Sequence, residues 1–158
     1  MTAATTTDLP PEIDPATRRK LAADLFNHTW TLLEKPDRTT AEDDEMIHSA
    51  HASRFHWGEV GEPVNLARGE WQCARVHSVL GRAEPALHHA RRCLEINEAI
   101  GSADFDIAAA YEAMARAHLA AGDAEEVAAW KARAIEALDG IADRDDREII
   151  EGDLATLP

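Results

Sequence analysis

The chain has 158 residues, 45% of them apolar but only 5% aromatic, and a formal net charge of −14. That length suits one domain able to bury about two thirds of the surface its unfolded form exposes. The acidity argues against nonspecific contact with nucleic acid or an anionic membrane, and no segment approaches the roughly 18 apolar residues of a membrane span.

Alanine dominates the apolar set, and β-branched residues are sparse, so helix propensity is high throughout and an all-α fold is expected. The opening MTAATTTDLPPEIDP lacks a basic start and an apolar run of signal-peptide length, which predicts a cytoplasmic protein with a disordered tail over residues 1–14 and one domain over 15–158. The charge is uneven. Residues 1–53 carry 10 acids and 5 bases, residues 54–92 carry 4 and 6, and residues 93–158 carry 16 and 5. A basic middle is thus set between acidic flanks.

Apolar periodicity predicts about seven amphipathic helices. The first spans about 15–34, with Leu21, Leu25, Phe26, Trp30 and Leu33 on one side, and stops at Lys35-Pro36. The second opens at Thr40 with an acidic first turn and runs to about Trp57, where Gly58 and Gly61 are expected to end it. A third, near 63–80, carries Val64, Ala67, Trp71 and Ala74 and closes at Gly81. The fourth begins around Pro85 and shows Ala86, Ala90, Cys93 and Leu94. Gly101 interrupts, with Ser102 or Asp104 as the expected cap of a fifth helix over about 104–120. Gly122-Asp123 turns into a sixth, through Val127, Trp130, Ala134, Leu138 and Ile141. A short seventh, roughly 145–155, offers Ile149, Ile150 and Leu154. Cys73 and Cys93 fall on neighbouring helices at about equal distances from the turn between them, so a disulfide is geometrically possible, but two buried thiols in a reducing cytosol are the expected state.

Two of these turns repeat. Placing SVLGRAEPALHHARRCLEI over HLAAGDAEEVAAWKARAIEAL sets Gly81 on Gly122, Ala86 on Val127 and Cys93 on Ala134, an offset of 41 residues. Small residues recur seven before each glycine, at Ala74 and Ala115, and twelve after, at Cys93 and Ala134. This pattern resembles the tetratricopeptide repeat (TPR). The resemblance covers about 63–140 well and the first two helices loosely. The offset exceeds the usual repeat of about 34 residues, which points to a long-helix variant. Tyr111 matches the early aromatic position, but Glu70 stands at its counterpart. The resemblance implies antiparallel hairpins wound into a right-handed superhelix with a C-terminal capping helix. A plain antiparallel bundle is the alternative.

In such repeats the first helix of each hairpin lines a concave face. Carried over residue by residue, the resemblance aims Arg68, Trp71 and Arg75, together with Glu112 and Arg116, into one groove, and helical spacing adds Asn65. Guanidinium forks grip carboxylates in pairs, so this groove suits an acidic or carboxylate-bearing protein or peptide partner in a noncatalytic interaction module. The same arginines could instead pair with Glu70, Glu84 and Glu112 between helices. Uncovered ends of the array would favour a homodimer.

A different class of function is carried by the eight histidines. Glu45, His48 and His51 recur at three-residue steps on one helix and are the candidate ligands of a metal-dependent enzyme or a small-anion site between helices. His77 and His118 share one repeat position, which predicts packing roles for both. Gly-rich phosphate loops, Cys-x-x-Cys and Gly-x-Ser-x-Gly are absent, so no cofactor and no catalytic residue is expected.

Overall fold

A computed structural model describes residues 12–158. The order is α1 (Pro15–Leu33), α2 (Thr40–Val60), α3 (Pro63–Val79), α4 (Ala83–Ala99), α5 (Asp104–Ala121), α6 (Ala124–Ala137), a single 3₁₀ turn (Leu138–Gly140) and α7 (Arg144–Ala155). The fold is all-α, and no strand occurs among the described residues. Most of the expected N-terminal tail lies outside the described residues. Asp14, assigned to that tail, instead caps α1: its carboxylate accepts from the Thr17 amide at 3.0 Å and from the Thr17 hydroxyl at 2.6 Å.

Sequence chemistry explains most boundaries. Pro15 and Pro63 open α1 and α3, where a missing N–H costs nothing. Thr39 and Glu42 form a reciprocal capping box at α2. Gly58 does not stop α2, which runs to Val60 and ends at Gly61. Neither Ser102 nor Asp104 caps α5. Ala103 holds the cap position without a side-chain bond, and Asp104 adopts a left-handed φ of 63° while its carboxylate accepts from the Ala142 amide at 3.2 Å. The sixth helix gives way at Leu138 to a 3₁₀ turn, so Ile141 is buried from a connecting segment.

The aligned glycines, Gly81 and Gly122, have φ of 68° and 74°, a region that penalises any residue with a Cβ. Each is followed by the same closing bond: Arg82 N–H donates to the His77 carbonyl at 2.9 Å, and Asp123 N–H to the His118 carbonyl at 3.0 Å. These six-residue closures satisfy carbonyls the helix end would otherwise orphan. The repeat seen in the sequence is therefore a repeat of turn geometry.

Neighbouring helices pack as hairpins, α1 on α2, α3 on α4 and α5 on α6, with α4 joined to α5 and α3 also directly against α5. The seams are built from small residues. Ala74, Ala86, Ala90, Cys93, Ala108, Ala115 and Ala134 are all buried in one cluster, where short side chains let helix backbones approach closely. Both cysteines are buried free thiols, and burial pushes each up to about 12. A second, smaller cluster of Leu32, Met46, Ala50, Cys73 and Val76 ties the first hairpin to α3. Gly69 brings α2 nearer still, since a Cβ there would stand 2.7 Å from the Arg54 Cδ. The C-terminal helix packs on the last hairpin, mainly against α5 and also against α6 and the 3₁₀ turn.

Candidate functional site

Three of the six groove residues meet in one buried knot. Glu112 of α5, with a side chain 1% exposed, accepts from Arg116 Nε at 2.6 Å and from Arg75 Nη2 at 3.4 Å. Asp153 of α7 completes the knot: its carboxylate accepts from Arg75 Nη2 at 2.5 Å and its carbonyl from Arg116 Nη2 at 2.9 Å, while Thr156 Oγ1 accepts from the same Arg116 nitrogen at 2.8 Å. Burial pushes the Glu112 carboxyl above the ordinary range against the opposing pull of both guanidiniums. The space bounded by Trp71, Arg75, Ser78, Ala113 and Arg116 has no room for a water-sized guest. Here the expected hollow is closed from within, because α7 supplies the acidic group that a ligand was expected to bring.

Trp71 also has a different setting from the expected one. It is buried among aromatic neighbours, 5.2 Å from the Trp30 ring and 5.9 Å from Phe105, and serves packing. Arg68 and Asn65 remain at an open surface. Arg68 forks onto Asp106 of α5 through Nε at 2.8 Å and Nη2 at 3.0 Å, leaving Nη1 outside the fork, and its side chain is 48% exposed. Asn65 Oδ1 accepts from the Glu62 amide at 2.9 Å as part of the α3 cap. Together with Ala23, Phe26, Asn27 and Trp57 they line a cleft of about 150 Å³ between α1, α2 and α3. Arg19 lies over the Trp57 ring, 5.5 Å from its centroid, and donates to the Val60 carbonyl at 2.8 Å.

The histidines gather elsewhere, across α2, α3 and α4. His51, His77 and His89 each place a nitrogen within 4.8 Å of the other two. His51 Nε2 and His77 Nε2 are 3.1 Å apart, and the rings of His77 and His89 are stacked with an interplanar angle of 4°. Glu70, buried on α3, accepts from His89 Nδ1 at 2.6 Å and from Arg54 Nε at 2.8 Å. Burial raises the Glu70 carboxyl, but the bonds from His89 and Arg54 outweigh it and hold it below the ordinary range. Desolvation, reinforced by the neighbouring His51, His89 and Arg82, drives His77 down to about 4, and desolvation with His89 lowers His51. At neutral pH the His77 ring is therefore uncharged.

Of the three metal candidates on the second helix, His51 alone belongs to this group. Glu45 bonds His28 Nε2 of α1 at 2.6 Å on the surface, and His48 stays a turn away. His118, expected to pack, has a largely buried side chain that lies 3.9 Å from both Asp123 and Glu126. Sequence reading missed the Arg54, Glu70 and His89 relay. The nearest signal was Glu70 itself, a charged residue where the repeat resemblance called for an aromatic one.

Compared with protein-family models, with curated proteins and with solved structures, the chain matches none. No described helix is long and apolar enough to cross a membrane.

Proposed function

We propose that this protein is a TPR-like recognition module that takes a carboxylate-bearing segment of a partner protein into the cleft between α1, α2 and α3. The observation that carries this reading is the Arg68 guanidinium at an open cleft, held rigid by Asp106 and retaining Nη1 for a guest. Phe26 and Trp57 give that cleft apolar walls, and Arg19 stacked on Trp57 adds a second positive charge at its edge. A cavity of this size suits one acidic side chain or a terminal carboxylate with its neighbour, not an extended peptide. The knot of Arg75, Glu112 and Arg116 plays no direct part, because Asp153 already occupies it.

A fluorescein-labelled hexapeptide rich in glutamate with a free C-terminus, titrated by anisotropy, tests the proposal against its amidated glutamine counterpart. The acidic peptide is expected to bind at least tenfold more tightly, and Arg68→Ala should remove that preference with unchanged helical circular dichroism. Equal affinity of the two peptides, or an Arg68→Ala chain that still discriminates, would rule the cleft out.

A further inference from the structure

Three imidazoles from three successive helices converge where the proposed cleft does not reach. His51 and His89 belong to the bodies of α2 and α4 and His77 to the last turn of α3, so all three are carried by helices and not by loops. The Nε2 atoms of His51 and His77 are already 3.1 Å apart. Tetrahedral coordination with metal to nitrogen distances of about 2.0–2.1 Å requires nitrogens about 3.3 Å apart, so this edge is preformed. The third nitrogen, from His89, lies within 4.8 Å of the other two.

The surroundings match the needs of a metal ligand in two further respects. Glu70 accepts from His89 Nδ1, which fixes the proton there and leaves the Nε2 lone pair free, and Arg54 orients Glu70 in turn. Carboxylates behind ligating imidazoles in this way set the tautomer and raise donor strength. Secondly, Nδ1 of His77 is buried without a hydrogen-bond partner, and the only polar contact of this ring is at the Nε2 edge facing His51.

We infer that His51, His77 and His89 form a binding site for a borderline divalent transition metal of the Zn(II), Co(II), Ni(II) and Cu(II) class. Nitrogen-only donors favour these ions over Mg(II) and Ca(II), which take oxygen ligands. Three protein nitrogens leave a fourth position, and the partly exposed His51 side is where water would enter it. An ion here would link α2 to α3 and α4, joining the first hairpin to the second.

Co(II) titrated into the full, untagged chain and followed by visible absorption is the direct probe. One equivalent should produce the intense bands of tetrahedral Co(II), and one equivalent of Zn(II) should abolish them. His51→Ala and His89→Gln, which alter different rings on different helices, should each eliminate the bands while circular dichroism shows both variants folded. Glu70→Gln should retain the stoichiometry and weaken binding by about 10- to 100-fold. His28→Ala, at the separate surface pair with Glu45, should change nothing. Failure to saturate at one equivalent, or bands that survive both His51→Ala and His89→Gln, would overturn the assignment. The peptide test on Arg68 is unaffected by either result, since the two sites share no residue.

Discussion

His77 shows how one side chain can destabilise the fold in acid. In the folded chain it ionises only near 4 against an ordinary value of 6.5, with His51, His89 and Arg82 as its facing cationic or ionisable neighbours. Between those two values the unfolded chain binds more protons than the native one, so stability is lost as pH falls from 6.5 towards 4. Glu70 acts in the same direction at the lower end, because its carboxyl is held below 4.5. In chelator-treated protein, His77→Phe should flatten the dependence of the urea midpoint on pH across that window. An unaltered slope would assign the acid sensitivity to other groups. Residue partners are also where sequence reading is weakest. His51 was legible beside Glu45 and His48 because steps of three are visible along one helix. Its spatial companions lie 26 and 38 positions further on, and only the stacking of hairpins brings them together.

At the scale of the helix, the turns were readable and the docking of α7 was not. Gly81 and Gly122 announce themselves because a left-handed closure needs a residue without a Cβ. Asp153 gives no such notice, being one acid among 16 in the last 66 residues, and its partner Arg75 is 78 positions away. Yet α7 is fastened through this residue. Arg75→Ala would leave Glu112 buried with a single guanidinium and release the Asp153 side chain, a loss of about 3 kcal/mol for breaking a buried charge network. Arg68→Ala removes a half-exposed guanidinium from Asp106 and should cost about 1 kcal/mol. Denaturant midpoints distinguish the two, and hydrogen exchange should quicken selectively in α7 of the Arg75 variant. Comparable midpoints would mean that α7 is held by its apolar side, through Ile150 and Leu154, and not by charge.

Over the whole molecule, hairpin order and the all-α class followed from alanine content and period, because helices that meet through small residues need little else to specify them. The inner surface was harder to foresee. Groove positions inherited from a repeat pattern say which way a helix face points but not what another part of the chain will lay across it. The same alanine seams set the terms on which the molecule tolerates change. Ala74 and Ala134 are at most 1% exposed, and Ala74→Leu or Ala134→Leu should each lower stability by about 2 kcal/mol through overpacking, read as a fall in Tm. Trimming has far less to remove: Ala74→Gly deletes one methyl and should cost about 1 kcal/mol, mostly backbone entropy. Most globular interiors are injured by losing atoms and opening voids. This one is chiefly vulnerable to bulk, so a scan of every substitution should find its interior intolerant of growth and comparatively forgiving of loss.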